Sequence, residues 1–417
     1  MSLPSTYKSV HLARRPTDHI TPDIFNVKPN QTSTITALKD GEVLFSPSHL
    51  SLDPAMRGWM NDSRSYIPPV KIGAVMRGAG VGTIVASKSP NFREGEEVYA
   101  PCGWTELAVL KDKEVEKLEL PPNGRITDAL GALGMPGLTA YFGILDVGKV
   151  KAGDFVVVSG AAGATGSVVG QIAKLKGATV LGLAGSDSKC TWLIDELGFD
   201  QALNYKDPSF KQNFRTATKQ LIDVYFDNVG GGILDMALSR AREHARFVMC
   251  GGISQYNTKD VQGPKNYLMI VSMRIRMEGF IVFDYAKQYQ EAKRQLAQWM
   301  AEGKIKRQET ILKGGVERLP EALQMLFQGG NIGKLMVEHC TFAVGVNHRP
   351  SLAAVPPMDI GNLTMSTRRR NNTARKPSGS VLLLIHRVSN DWYQSWPDDQ
   401  TEEANARAAM TTRAITF

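Results

Sequence analysis

The chain has few cysteines, and no two of them stand close together. Only four occur among 417 residues, at positions 102, 190, 250 and 340, without a C-x-x-C pair. This spacing argues against a disulfide framework and suits a reducing cytoplasm. A structural zinc site would need closely spaced ligands, and the seven histidines form no H-x-x-x-H or mixed Cys/His cluster. We therefore expect a cytoplasmic protein without a metal site.

Long apolar runs are also missing. No run approaches the roughly 20 apolar residues that span a bilayer, and residues 1–15 lack the apolar core of a signal peptide. We therefore expect no membrane association. The net charge of +8 is spread thinly, which suits an anionic cofactor but does not indicate a nucleic acid partner. The length is sufficient for two or three domains with a sizeable core.

A glycine-rich turn lies between an apolar, β-branched run at 155–159 and a helical pattern that ends near Gly177. This order of strand, turn and helix is typical of a dinucleotide-binding βαβ unit. The first glycine of the usual fingerprint is replaced by Ala161. In that unit the helix N-terminus offers free N–H groups to the phosphates, although a tight turn without a ligand is the alternative. The residues of the turn predicted to contact the dinucleotide are Ala162, Gly163, Thr165 and Gly166.

The next strand pattern favours NADP(H) over NAD(H). About 20 residues past the glycines, an Asp or Glu usually binds a free ribose hydroxyl. Gly185 and Ser186 stand there instead, leaving room for a 2′-phosphate, and Lys189 can supply positive charge to it. Asp187 would repel a phosphate unless it points outward in the first helical turn. A solvated helix lysine is the alternative for Lys189.

The order of these patterns predicts the α/β class, with a doubly wound parallel sheet and a second, mostly β domain. Residues 1–130 are rich in short strand patterns and turn signals. Strands alternate with helices over 131–310, as in doubly wound folds. The predicted strands of this part and of the segment after it are 155–159, 179–184, 222–226, 246–250, 278–283 and 334–337.

Further patterns predict two helices and a tail. One helix covers 286–302, and another begins at Pro320 and ends at Gly329. Residues 343–417 are rich in Pro, Asn, Ser, Thr and Arg, which predicts a disordered extension. A basic targeting signal at Arg368–Arg370 is a weaker alternative for part of it.

Seven segments between about residues 10 and 340 carry a family resemblance: LDPAMRG at 52–58, GMPGLTAY at 134–141, the run 160–174, FDNVGG at 226–231, CGGISQYN at 250–257, MEGF at 277–280 and NIGK at 331–334. In this order they resemble the zinc-independent members of the medium-chain dehydrogenase/reductase superfamily. The resemblance is greatest to the prostaglandin reductase, leukotriene B4 dehydrogenase-like and alkenal double-bond reductase group. It implies that 1–130, completed by 311–342, is a chaperonin-10-like catalytic domain, that 131–310 is a Rossmann NADP-binding domain, and that the protein is a homodimer.

The resemblance also implies roles for single residues. Lys189 and Tyr205 would contact the 2′-phosphate, and Thr139 would lie along the nicotinamide. Asn228 follows a predicted strand, at the sheet edge where open α/β folds bind ligands. The residues expected to flank the nicotinamide and substrate are Phe280, Val282 and Asn331, with core packing as the better interpretation of Phe280 considered alone.

The reaction that follows from the resemblance is NADPH-dependent reduction of a C=C bond conjugated to a ketone or aldehyde. Hydride goes to the β-carbon, and the protein stabilises the developing enolate. Tyr256 is the first candidate for this hydrogen bond or for a proton relay, and Tyr66 is the second. A surface or phosphate-contacting tyrosine, and a loop-packing tyrosine, are the respective alternatives. Quinone reduction, another dehydrogenase activity of the same superfamily, and non-catalytic NADP binding remain open as functions.

Overall fold

The computed structural model describes residues 3–339, whose strands form a parallel sheet, a mixed sheet and a two-stranded antiparallel ribbon. The predictions for 343–417, including Arg368–Arg370, lie outside the described residues. The strands are β1 (Thr6–Leu12), β2 (Phe25–Gln31), β3 (Glu42–Ser51), β4 (Gly80–Ser87), β5 (Glu97–Ala100), β6 (Ala108–Lys111), β7 (Glu116–Lys117), β8 (Phe155–Val158), β9 (Thr179–Ala184), β10 (Gln201–Asn204), β11 (Ile222–Asp227), β12 (Ala241–Met249), β13 (Arg276–Gly279), β14 (Glu309–Lys313) and β15 (Lys334–Glu338).

Most of the α-helices connect consecutive strands of the parallel sheet along the chain. A π-helical turn, Gly143–Val147, and a 3₁₀ helix, Val282–Gln288, extend two of the helical segments. No helix in the part of the chain that the structure describes is long and apolar enough to cross a membrane. The α-helices are α1 (Met56–Trp59), α2 (Met135–Phe142), α3 (Ala164–Leu175), α4 (Asp187–Asp195), α5 (Phe210–Ala217), α6 (Gly231–Leu238), α7 (Leu268–Ser272), α8 (Tyr289–Ala301) and α9 (Leu319–Gln328).

The parallel sheet has the strand order β10-β9-β8-β11-β12-β13. Counted from β8, this is the order 3-2-1-4-5-6 of doubly wound dinucleotide-binding folds, whose ligands bind where the order reverses. That reversal lies between β8 and β11. Val156 and Val158 pack into the core on one face of the sheet, and Phe155 and Val157 into the core on the other. The uninterrupted apolar run of β8 therefore reflects burial on both faces, as expected for a parallel sheet.

The mixed sheet has the order β14-β15-β3-β4-β5-β7, and β6 also pairs with β3. One edge of β3 is shared, because residues 42–45 pair with β6 and residues 49–51 pair with β15. The sheet thus joins strands from the first 120 residues of the chain to two strands that lie after the parallel sheet in sequence, β14 and β15. The fold class predicted from the sequence is confirmed, with a parallel sheet beside a mostly β part.

Several predicted elements have different bounds in the structure. The strand predicted at 278–283 is Arg276–Gly279, and Val282 begins a 3₁₀ helix rather than continuing a strand. Pairing with β12 ends at Gly279, opposite Met249, which is why the strand ends there. The predicted strand 246–250 begins earlier, at Ala241, and the predicted helix 286–302 is α-helical only over Tyr289–Ala301.

Candidate cofactor and substrate site

The glycine-rich turn connects β8 to α3 in a tight conformation. Gly160 has a left-handed φ of 58°, and Gly163 is the extended N-cap residue of α3. A Cβ atom on Gly166 would lie 2.4 Å from the carbonyl oxygen of Gly160, so only glycine lets the helix lie this close to the turn. At Gly163 the closest atom is the same oxygen at 3.2 Å. The first turn of α3, with Thr165 in it, presents its N–H groups in the manner of a phosphate site.

A segment from the end of the described chain packs on this turn. The backbone N–H of Gly333 donates to the carbonyl oxygen of Ala162 at 2.8 Å. Asn331 is 7% exposed, and its Nδ2 donates to the carbonyl oxygen of Gly333 at 2.8 Å. Asn331 therefore supports the loop that touches the phosphate turn, and its contact with a nicotinamide stays a prediction.

At the end of β9, Gly185 lies against Tyr205, and the neighbouring Lys189 and Lys206 make this region basic. A Cβ atom at Gly185 would lie 2.7 Å from the hydroxyl of Tyr205, so an acidic side chain cannot occupy this position without displacing the ring. Lys189 donates from Nζ to the carbonyl oxygen of Gly329 at 2.8 Å. Burial and the neighbouring Lys206 lower the pKa of Lys189. Sequence reasoning missed Lys206, although it directly follows Tyr205 in the sequence.

The carboxylate of Asp187, which would repel a nearby phosphate, points into solvent. Asp187 is exposed in the first turn of α4 and accepts a hydrogen bond from Asn204 Nδ2 at 3.0 Å. Ser186 is the N-cap residue, and its hydroxyl accepts from the backbone N–H of Lys189 at 3.3 Å. The Gly185 position is thus left without an acidic side chain, which is the arrangement that suits a 2′-phosphate.

The absence of an acid at Gly185 and the presence of Lys189 predict that NADPH binds at least tenfold more tightly than NADH, a difference of about 1.4 kcal/mol. Lys189→Ala should weaken NADPH binding and leave NADH binding nearly unchanged, because only NADPH carries the 2′-phosphate. Titration of both cofactors into the two proteins would measure this. Lys176→Ala, at the exposed far end of α3, is the control for a change of net charge. Equal losses for both cofactors would assign Lys189 to holding Gly329 instead.

A buried carboxylate organises the carboxyl ends of β8 and β11. Asp227 is 0% exposed and accepts hydrogen bonds from the Ser159 and Tyr225 hydroxyls and from the backbone N–H groups of Val229 and Gly230. Sequence reasoning quoted its segment but gave Asp227 no role. Four hydrogen bonds to one carboxylate offset the cost of burying it, and they fix the backbone on both sides of Asn228.

Asn228 lies at the reversal of strand order, as its position after a strand predicted. Its Nδ2 donates to the carbonyl oxygen of Ser159 at 2.7 Å, and its N–H donates to the Ser159 hydroxyl at 2.8 Å. Its Cβ stands next to Gly160, at the start of the glycine-rich turn. The structure thus brings Asn228 and the predicted phosphate turn together at the same edge of the sheet.

Tyr256 lies at the carboxyl end of β12, half-buried. Its hydroxyl oxygen accepts a hydrogen bond from the backbone N–H of Gly252 at 3.0 Å. Burial raises the pKa of Tyr256, with smaller increases from Cys250, Tyr66 and Asp227. The phenol is therefore neutral at physiological pH, and its accepted bond leaves the O–H proton available to a substrate oxygen.

Tyr66 stands at the other side of the site, on the loop after α1. It is 48% exposed, and its oxygen accepts from the indole N–H of Trp59 at 3.2 Å. Its ring contacts Phe283 edge-on, with centroids 5.8 Å apart. The guanidinium of Arg77 lies over the Trp59 ring at 5.6 Å. This aromatic contact joins a loop of the mixed sheet to the 3₁₀ helix that follows the parallel sheet.

The three remaining predicted residues occupy different settings. Thr139 is half-buried on α2, between wholly buried neighbours. Phe280 packs edge-on against Phe226 with centroids 6.5 Å apart, which supports the core-packing interpretation of that ring. The carbonyl oxygen of Val282 accepts from the Tyr289 hydroxyl at 3.0 Å. Contact of these residues with a nicotinamide stays a prediction.

The described residues do not form a metal centre. Within 3–339, no group of three or more His, Cys, Asp or Glu side chains is close enough to hold a metal ion. Cys102, Cys190 and Cys250 are free thiols, and burial raises the pKa of Cys102 and Cys250 to about 12. Such thiols stay protonated at neutral pH and are poor metal ligands.

Comparison with known families gives two matches. Residues 8–118 match the N-terminal domain of oxidoreductases, and residues 164–302 match the family described as zinc-binding dehydrogenase. The donor groups described above do not fit a zinc ion, so the name of the second family does not carry over to a metal site here.

This chain matches several relatives over almost the full length of those relatives. A putative NADP-dependent oxidoreductase of Bacillus subtilis is 41% identical over 340 residues, which are 80% of this chain and 98% of the relative. The NADPH-dependent curcumin reductase of Escherichia coli is 38% identical over 78% of this chain and 95% of its own. Prostaglandin reductase 1 of Bos taurus is 41% identical over 74% of this chain and 92% of its own.

Solved structures show the same fold. CurA from Vibrio vulnificus in complex with NADPH superposes with a TM-score of 0.75 at 40% identity, covering 80% of this chain and 99% of that one. A quinone oxidoreductase of Escherichia coli complexed with NADPH has a TM-score of 0.63 at 16% identity, with 80% and 100% coverage. At that identity the second likeness concerns the fold alone.

Proposed function

Because the chain belongs to the medium-chain dehydrogenase/reductase family, we propose that it is an NADPH-dependent reductase of C=C bonds conjugated to a ketone or aldehyde. The observation that carries the proposal is the half-buried phenol of Tyr256, beside the strand ends that also hold the glycine-rich turn. The names of the relatives, among them curcumin reductase and prostaglandin reductase, support it.

The proposed cofactor contacts follow the geometry of the parallel sheet. The turn at the N-terminus of α3 would bind the pyrophosphate, and the basic region at Gly185 would bind the 2′-phosphate. Bound NADPH would supply the hydride for the reaction. The residues proposed to hold it are Thr139, Ala162, Gly163, Thr165, Gly166, Lys189, Tyr205, Asn228, Phe280, Val282 and Asn331.

The chain's own contribution to the chemistry is a hydrogen bond to the carbonyl oxygen. As the β-carbon is reduced, negative charge develops on that oxygen, and the Tyr256 O–H would donate to it. A preorganised donor in a water-poor site stabilises such charge more strongly than water does. Tyr66 would cover the substrate from the opposite loop and serve as a second donor. Its fixed position against Trp59 and Phe283 supports that role.

The reaction itself is the test of the proposal. NADPH oxidation should be measured with an enone, an enal, a quinone and a simple ketone, and the products identified by mass spectrometry and NMR. We expect the enone to be saturated at C=C with its C=O intact. An allylic alcohol as main product would contradict the proposal. Turnover of the quinone alone would indicate a quinone oxidoreductase, and cofactor binding without turnover would indicate a non-catalytic protein.

We also propose that two copies of the chain form a homodimer through the β13 edge of the parallel sheet. β13 is the last strand in the sheet order. The segment before it exposes large apolar side chains, with exposed fractions of 57% to 74%. An edge strand beside an exposed apolar patch is typical of an association surface. A sedimentation mass of one chain would contradict the proposal. The apolar side chains are Val261, Tyr267, Leu268 and Val271.

We also propose a division into two domains, based on the sheets, and a cytoplasmic location, based on the cysteines. Residues 1–130 would form the catalytic domain together with 311–342, since β14 and β15 join the mixed sheet, and 131–310 would form the cofactor domain. The free thiols support a cytoplasmic location. Limited proteolysis that cut preferentially inside either proposed domain would contradict the division.

A further inference from the structure

Arg57 is a buried cation whose hydrogen bonds all go to neutral groups, although the charge of the Asp18 carboxylate also acts on it. It lies on α1 and is 3% exposed. Its Nε donates to Oδ1 of Asn257 at 2.9 Å, and its Nη1 donates to Oδ1 of Asn61. Its Nη2 donates to the backbone carbonyl oxygens of Asp18 at 3.1 Å and Pro16 at 3.4 Å. Within the described residues it forms no ion pair.

This arrangement restricts the conformations of the segments that it joins. A buried guanidinium is stable only while its donors are bonded, since an unpaired buried charge is costly. The guanidinium is also planar and rigid, so bonds in three directions fix the relative positions of the groups that accept them. Each acceptor of Arg57 is thereby held in place, although the acceptors come from separate parts of the chain.

Two of these acceptors belong to the loops that carry the candidate reacting groups. Asn257 directly follows Tyr256, and its bond to Arg57 joins residues 200 positions apart. Asn61 begins the segment that leads to Tyr66. Arg57 thus lies between the loop that carries one candidate donor and the loop that carries the other, and it contacts neither tyrosine in the hydrogen bonds described.

We propose that Arg57, through its bond to Asn257, is a positioning residue that holds the Tyr256 hydroxyl at the substrate carbonyl. The Gly252 N–H anchors the hydroxyl oxygen from one side, and the Arg57–Asn257 bond anchors the backbone directly after the ring. Both anchors are needed because Tyr256 lies outside regular strands and α-helices, where backbone hydrogen bonding alone leaves more freedom. This inference rests on the proposed function.

The test compares Asn257→Ala, which removes the acceptor, with Asn257→Asp, which keeps an oxygen at the same place. We expect Asn257→Ala to lower kcat for an enone by about tenfold, since small misplacements of reacting groups have large effects on rate. NADPH affinity should change less than about twofold, because Asn257 is not among the proposed cofactor contacts. Asn257→Asp should restore most of the rate. Asn91→Ala, at an exposed asparagine bonded to Asp112, is the matched control.

A double-mutant cycle separates positioning from a structural role. In the Tyr256→Phe background, Asn257→Ala should have little further effect on kcat, because the hydroxyl that it positions is gone. The same tenfold loss in both backgrounds, or no loss in either, would overturn the inference. Melting curves exclude a folding defect as the cause of a lower rate. A wild-type protein that fails to reduce any enone would overturn the proposed function as well, whereas an active wild type with an unaffected Asn257→Ala overturns only this inference.

Discussion

Gly166→Ala is expected to weaken NADPH binding by about 100-fold and to lower the melting temperature, because overpacking a tight contact costs about 1–3 kcal/mol. The added Cβ would lie 2.4 Å from the Gly160 carbonyl oxygen and 2.9 Å from the Cα of Ala161. Both are backbone atoms, so relief requires moving α3 away from the turn that precedes it. Calorimetric titration with NADPH and thermal unfolding without ligand would measure the two effects.

Gly163→Ala distinguishes an effect on cofactor binding from an effect on the stability of the fold. Its Cβ would meet only the Gly160 oxygen, at 3.2 Å, and its φ of −84° suits any residue. The unliganded protein should therefore unfold at nearly the wild-type temperature, while the methyl group obstructs a pyrophosphate and weakens NADPH. Gly232→Ala, in open space on α6, should neither weaken NADPH binding nor lower the unfolding temperature. Wild-type affinity in both Gly163→Ala and Gly166→Ala would refute the assignment of this turn to the cofactor.

Tyr256→Phe is expected to lower kcat for an enone by about 10- to 100-fold, less than the loss of a strong oxyanion-hole donor. The ring and its packing remain, so NADPH affinity and the melting temperature should stay near wild type. Only the O–H donor to the developing enolate is lost. Steady-state kinetics with product analysis would measure the effect, and an unchanged kcat would remove Tyr256 from the mechanism.

The pH dependence of the rate provides a second readout of the same residue. An ordinary tyrosine loses its proton near pH 10, and burial raises the pKa of Tyr256 above that value. The neutral donor is present below the pKa, so the loss of kcat that accompanies ionisation of Tyr256 should have its midpoint above pH 10. Tyr66→Phe, at a more exposed tyrosine, tests whether a second donor contributes. A wild-type kcat that declines well below pH 10, with no such decline in Tyr256→Phe, would contradict a raised pKa.

The local sequence pattern predicted the strands that are paired on both sides within the parallel sheet, but it did not predict the strand at one edge of that sheet. The strand Thr179–Ala184 has the predicted bounds. Its apolar residues are buried, and the glycines that flank the run mark its two ends. Gln201–Asn204 was not predicted. It is short, polar at both ends and paired on one side only, with Gln201 opposite Leu181. Its conformation comes from the neighbouring strand rather than from its own residues.

In the candidate site, too, the residues that local sequence predicts differ from those whose role depends on distant partners. The glycine-rich turn and Tyr256 belong to short segments whose residue types point to a role. Arg57 and Asp227 give no such signal, since each acts through partners distant in the sequence: Asn257 for Arg57, and Ser159, 68 positions away, for Asp227. A buried charge in a single sequence looks like any surface charge until the fold shows which groups surround it.

The shared edge of β3 has a consequence for folding during synthesis. Residues 49–51 pair with residues 336–338, and the buried Nζ of Lys334 donates to Asp53 Oδ1 at 2.6 Å. A ribosome must therefore add nearly 300 residues after β3 before the strand that pairs with part of it emerges. Until then the nascent chain presents an open strand edge, which is where intermolecular pairing begins. Completion of the mixed sheet, and with it the packing of Gly333 against the glycine-rich turn, must therefore wait for the synthesis of β15.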